Sequence, residues 1–176
     1  GIMLQFISME EAYGEIEGRA SRRLIPTALV PLEDAVGRIL AEPAVAKLSI
    51  PPFNNSARDG VVLSASGLSV AKAGSPVKLA GELRAGDSVE VANEIDGDAA
   101  RIMTGAPVPS WAEAIVMIED LTLNDDGTVI INRLPEPRAW IRPKGSDIAE
   151  TSEILKPGRR IIPEHVQALA SSGVVE

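Results

Sequence analysis

The 13 prolines and 15 glycines of this 176-residue chain are scattered along its whole length instead of being pooled in one linker. Proline fixes φ and removes a backbone donor, and glycine admits turns that other residues resist, so the chain is cut into many short elements. Between the cuts lie short runs rich in β-favouring residues: Pro76–Leu79, Asp87–Ala92, Ala99–Met103, Ala114–Glu119 and Thr128–Asn132. Asn124-Asp125-Asp126-Gly127 separates two apolar runs with a glycine available for positive φ, the signature of a hairpin. Closely spaced strands with no helix among them predict a compact antiparallel barrel or sandwich.

The ends read differently. Ser8 is a good helix N-cap with Glu11 at the capping-box position, and Ala12, Ile16 and Ala20 follow at helical spacing. A second helix starts at Pro163-Glu164, carries Val166, Leu169 and Ala170 on one face, and stops at Gly173. A shorter helical turn is expected over Leu32–Val36, closed by Gly37. The expected fold is therefore α+β and β-rich. An antiparallel barrel-like unit at 47–148 is inserted into a small mixed unit made from 1–46 and 149–176. Gly1-Ile2 before Met3 reads as a cloning remnant, and the apolar stretch after Gly173 leads us to expect the front part of a longer protein.

Composition narrows the function. A chain of this size buries about 70% of its unfolded surface, so its core needs no disulfide or metal staple. With no cysteine and one histidine, thiolate zinc sites, iron–sulfur clusters, cysteine nucleophiles and histidine-rich metal sites are excluded. Lys and Arg number 17 against 25 Asp and Glu, a formal charge of −8 that repels phosphate backbones. Aromatics are only 3%, too few for base-stacking platforms, and no nucleic-acid partner is expected. No apolar run approaches the roughly 18 residues of a membrane span. A cytoplasmic protein without membrane contact is the expectation. Phosphate cradles of the Gly-x-Gly-x-x-Gly and P-loop types are absent from the sequence.

Three polar loops could carry chemistry. In Pro51-Pro52-Phe53-Asn54-Asn55-Ser56-Ala57-Arg58-Asp59-Gly60, prolines impose an extended approach and Asp59-Gly60 leaves a carboxylate at a turn. In Arg101-Ile102-Met103-Thr104-Gly105-Ala106-Pro107-Val108-Pro109, a strand runs into Thr-Gly and two prolines stiffen the exit. In Trp140-Ile141-Arg142-Pro143-Lys144-Gly145-Ser146-Asp147-Ile148, two cations and a carboxylate make a basic spot on an acidic protein. Read singly, each also has a bland reading, the first two as ordinary turns and the third as a solvated loop with a surface ion pair. His165 reads as structural or solvated, and Trp111 and Trp140 as packing residues.

Taken together, Asn54–Gly60, Arg101–Pro109 and Gly145–Ile148 resemble the MoeA/gephyrin E-domain family of molybdopterin molybdenumtransferases. Val36–Ala41 and Ala170–Val174 fall where that family has similar stretches, so the likeness spans nearly the whole chain in order. The nine residues Arg101–Pro109 are the specific part.

The resemblance implies a protein that inserts molybdate into adenylylated molybdopterin, with Mg²⁺, releasing AMP. It also implies an elongated homodimer with a cleft between subunits, and an upstream enzyme of the molybdopterin-adenylyltransferase type. Positions matching Asp59, Thr104 and Asp147 belong to the family's functional set, with the carboxylates orienting cation or water and Thr104 hydrogen-bonding an oxyanion. Asn55, Ser56, Gly105, Arg142 and Lys144 are expected to bind substrate; the resemblance specifies no metal ligands. The family's pterin-binding and C-terminal domains follow the point where this sequence stops, so the 176 residues alone are expected to be inactive. The family commonly has Asp at Asn54, Met at Arg58, Tyr at Val61 and Glu at Ser146. Of these, Arg58, Val61 and Ser146 favour the alternative of a non-catalytic scaffold or binding module with the same fold.

Overall fold

A computed structural model describes residues 8–10 and 26–176. The helix expected from Ser8 through Ala20 falls, beyond Glu10, outside them.

The central feature is a six-stranded, barrel-like sheet. Its strands are β3 (Gly60–Leu63), β4 (Val77–Leu83), β5 (Ala99–Ile102), β6 (Ala114–Met117), β7 (Leu121–Leu123) and β8 (Thr128–Ile131), in the order β6-β3-β5-β4-β8-β7. Side chains alternate across a strand. Accordingly Val62 packs with Ala100, Ile102 and Ile115 in one apolar cluster, while Val61 and Leu63 pack with Ala99 and Val116 in another. Both faces are covered at the centre of the sheet, which is why β3 and β6 read as unbroken apolar runs. The hairpin at Asn124–Gly127 forms as expected: β7 and β8 are antiparallel and Gly127 has φ +79°.

Two helices interrupt what the sequence presents as continuous strand. The run Asp87–Ala92 is not a strand. Val89–Glu94 is helical (α2), because the Ser88 hydroxyl caps it by accepting from the Val91 N–H at 3.3 Å. Its alternating Val-Glu-Val pattern mimics a strand, but only the buried Ala92 faces the core. Ala65–Lys72 is also helical (α1), capped by the Ser64 hydroxyl, which accepts from Gly67 N–H at 3.1 Å. The crossover through α2 returns the chain parallel to itself, so β4 and β5 form a parallel pair in an otherwise antiparallel sheet.

The two halves of the chain outside this sheet meet. Strand β1 (Ala44–Val45) pairs antiparallel with β10 (Glu153–Leu155), and Leu32, Ala44, Ile161, Leu169 and Val174 share one cluster. Leu32–Asp34 forms a 3₁₀ turn, and Gly37 beyond it has φ +84°. The last helix, α3 (Pro163–Ser171), ends as expected at Gly173, whose φ is +81°. Gly173 N–H bonds Ala170 O and Val174 N–H bonds Leu169 O, the pair of bonds of a Schellman cap. His165 serves this helix structurally: its Nδ1 accepts from Ile162 N–H at 3.4 Å.

Candidate active site

The three polar loops meet. Strands β2 (Asn55–Ser56) and β9 (Ile141–Arg142) pair, with Asn55 opposite Arg142 and Ser56 opposite Ile141. On its other side Asn55 bridges to Pro107, Ser56 N–H donates to Ala106 O at 3.0 Å, and Gly105 N–H donates to Ser56 O at 2.8 Å. The first loop is thus the middle rail between the second and the third. Asn54 ties the set at its edge: its carbonyl accepts from Val108 N–H and its side-chain Oδ1 from Lys144 N–H, both at 2.8 Å.

Asp59 sits immediately before β3. Its carbonyl accepts from Ile118 N–H at 3.0 Å, and Gly60 then runs so close to β6 that a Cβ there would lie 1.8 Å from Val116 O. The glycine after Asp59 is required by this close approach and starts a strand, where the sequence pattern predicts a turn. The Asp59 carboxylate is fixed from the second loop: Oδ1 accepts from both the N–H and the hydroxyl of Thr104, each at 2.7 Å. Gly105 allows this by taking φ +82° in the turn that Ala106 N–H closes onto Met103 O. The Thr104 hydroxyl, then its N–H, holds the Asp59 pKa below the ordinary carboxylate value.

Asp147 has a different partner. Its Oδ2 pairs with Arg142 Nη2, and both side chains are about half exposed, at 47% and 48%. Its N–H and that of Gly145 bond Ile50 O and Pro51 O, each at 2.9 Å. Asp59 and Asp147 share no hydrogen-bond partner among the described residues. Within the same set, the Lys144 ammonium is an uncommitted cation, while Arg142 is already engaged. Both Thr104 donors are likewise spent on Asp59, so Thr104 orients the carboxylate before it can serve a ligand.

Sequence reasoning missed Trp140. Far from being a buried packing residue, it is 39% exposed, and the Arg58 guanidinium lies 4.9 Å from its ring centroid. It borders a groove of about 390 Å³ that includes Met117, Arg133 and Leu134. A much smaller recess of about 50 Å³ adjoins Asp59, Arg101 and Met103. The signal available in the sequence was Trp140's place two residues before Arg142.

This arrangement has relatives. A family model described as the MoeA N-terminal region, domains I and II, matches residues 7–173. The chain belongs to that family. Curated relatives include a molybdopterin molybdenumtransferase of Haemophilus influenzae, 35% identical over 150 residues, covering 85% of this chain and 36% of the relative. Molybdopterin molybdenumtransferase 2 of Mycobacterium tuberculosis is 38% identical over 149 residues, covering 84% and 36%. A Staphylococcus aureus molybdopterin molybdenumtransferase is 33% identical over 175 residues, covering 97% and 40%. Two solved structures of the molybdopterin biosynthesis MoeA protein from Pyrococcus horikoshii superpose with TM-scores of 0.81 and 0.68 at 29% and 31% identity. They cover 97% and 83% of this chain, and 43% and 38% of theirs. The chain therefore spans well under half the length of these relatives.

Proposed function

We propose that this MoeA-family chain is the N-terminal part of a molybdopterin molybdenumtransferase. In this reading its loop cluster forms one wall of the site where molybdate enters adenylylated molybdopterin and AMP is released. The observation that carries this is the Thr104–Asp59 clamp. Across 45 residues of sequence, the second loop spends two donors, the N–H and the hydroxyl of Thr104, on aiming one surface carboxylate of the first, a costly arrangement for a mere turn.

Each residue then has a physical task. Asp59, held by Thr104, orients a cation or a water. Lys144 offsets phosphate charge directly, and Arg142 does so on leaving Asp147. Asn55 and Ser56 supply the rail, and Gly105 the turn, that hold these groups in place. Mg²⁺ is commonly held by one or two carboxylates plus substrate phosphates, not by an all-protein cage. The donors fit that mode: Asp59 Oδ2 and Asp147 Oδ1 have no partner among the described residues, which contain no group of three or more His, Cys, Asp or Glu able to hold a metal. When bound, Mg²⁺ supplies neutralisation of phosphate charge.

The family likeness supports a homodimer, an upstream adenylyltransferase-type enzyme and a cytoplasmic setting. Among the described residues no helix is long and apolar enough to cross a membrane. The test is AMP release by the full-length protein supplied with adenylylated molybdopterin, molybdate and Mg²⁺. Asp59→Asn and Asp147→Asn should each slow it by about 10²-fold or more, the scale of a lost acid–base or charge-orienting group. Unchanged molybdenum cofactor production in cells carrying these variants would instead identify a scaffold; the 176 residues alone should release no AMP.

A further inference from the structure

We propose that Trp140 is a positioning residue for this site: its ring holds the Arg58 guanidinium so that Arg58 does not pair with the neighbouring Asp59. The inference rests on the functional reading above but has its own observations. Trp140 adopts φ +59° and Arg138 φ +61°, left-handed backbone that bulky residues rarely accept. Such conformations persist only where the surroundings over-determine them, and they gather at functional sites.

The surroundings do so. Arg138 N–H donates to Glu113 O and its Nη1 to Ala112 O, both at 2.9 Å. Ile115 N–H donates to Ala139 O at 3.0 Å, and Ala57 N–H to Trp140 O at 2.9 Å. The strap is pinned to β6 on one side and to the first site loop on the other. Burial does not explain it, since more than a third of Trp140 is exposed.

What the strained backbone achieves is to place the indole under Arg58. The Arg58 backbone is held in turn by Ser56, whose buried hydroxyl donates to Arg58 O at 2.6 Å. An arginine beside a carboxylate has the reach to pair with it. Here the Asp59 carboxylate takes its hydrogen bonds from Thr104, and Arg58 lies on the ring. Arg142, two residues beyond Trp140, is likewise engaged with Asp147. Arg58 is thus kept off Asp59, whose second carboxylate oxygen stays available.

The stack has a spectroscopic signature independent of activity. In the 176-residue chain, ring current from Trp140 should move the Arg58 side-chain proton resonances upfield. Trp140→Phe should retain the shift and Trp140→Leu abolish it; resonances at unstacked positions in the unaltered chain would overturn the proposal. In the full-length protein, Trp140→Leu should lower kcat/KM for AMP release about two- to five-fold, the range set by an exposed cation–π contact. Trp140→Phe should stay near the unaltered level, as should Arg58→Met. The deciding variant is Trp140→Leu combined with Arg58→Met, which should recover the activity of Arg58→Met alone. A double variant as impaired as Trp140→Leu would mean that Trp140 acts only as structure, and would sink the idea. If the unaltered full-length protein releases no AMP, the functional reading fails, and the resonance shifts judge the stack without it.

Discussion

The two candidate carboxylates are held under different conditions, Asp59 at the start of a central sheet strand and Asp147 in a loop between the sheet and the unit where the chain's ends meet. Val62, Leu63, Leu83, Ile102 and Ile115 in the sheet are completely buried, on two faces of six strands. In the end unit Leu32, Ala44 and Val174 keep 8–9% exposure, and β1 pairs with β10 alone. Asp59 leads straight into β3, which has a strand on each side. Asp147 lies in a loop bonded to Ile50 and Pro51, between the sheet and the end unit. Local opening is governed by how much apolar contact an element would lose. The Asp59 half of the site is therefore the rigid reference, and the Asp147 half the part that can move against it.

Breaking the sheet should do the most damage. Ile115→Ala removes a fully buried side chain and should cost about 2–5 kcal/mol in chemical denaturation. Leu32→Ala in the looser end unit should cost less, because its surroundings collapse more easily; equal losses would erase the contrast. Gly60→Ala comes next. Its Cβ would strike Val116 O, forcing β3 from β6 at about 1–3 kcal/mol, the scale of overpacking. It should also displace Asp59, seen as altered Thr104 amide and hydroxyl resonances.

Thr104→Ala sharpens the comparison at the carboxylate itself. Removing the hydroxyl, the larger cause of the depression, should raise the Asp59 pKa toward its ordinary value in a carboxyl NMR titration. Thr104→Ser should keep it low. A lowered folded-state pKa contributes stability that is present above the unfolded pKa and lost as pH falls through the folded one. The stability gap between Thr104→Ala and the unaltered chain should thus be full at neutral pH and vanish in acid. Arg142→Ala should matter least to stability, about 0–1 kcal/mol and less in salt, because its pair with Asp147 is exposed. A large loss there would show that the Asp147 half is as rigid as the other.

The strands were legible wherever apolar runs met glycine or proline, as in Ala99–Ile102, Ala114–Met117 and Thr128–Ile131. The helix Val89–Glu94 was not, because six residues are too few to display a helical period, and its Ser88 cap is a single residue. Asp59, Thr104, Arg142 and Asp147 were picked out by loop chemistry and family resemblance. Their partnerships were invisible, since a bond between Thr104 and Asp59 depends on two strands arriving at one place.

Residue order alone determined a chain of short strands, the stops at Gly37 and Gly173, the Asn124–Gly127 hairpin and the polar loops; these depend on φ preferences and apolar spacing within a few residues. Only the folded chain decided that Asn55 and Ser56 lie between the other two loops, that Thr104 holds Asp59, and that Arg58 rests on a strained Trp140. Those facts join residues tens of positions apart, and no local preference encodes a contact that exists only once the sheet has closed around its two apolar clusters.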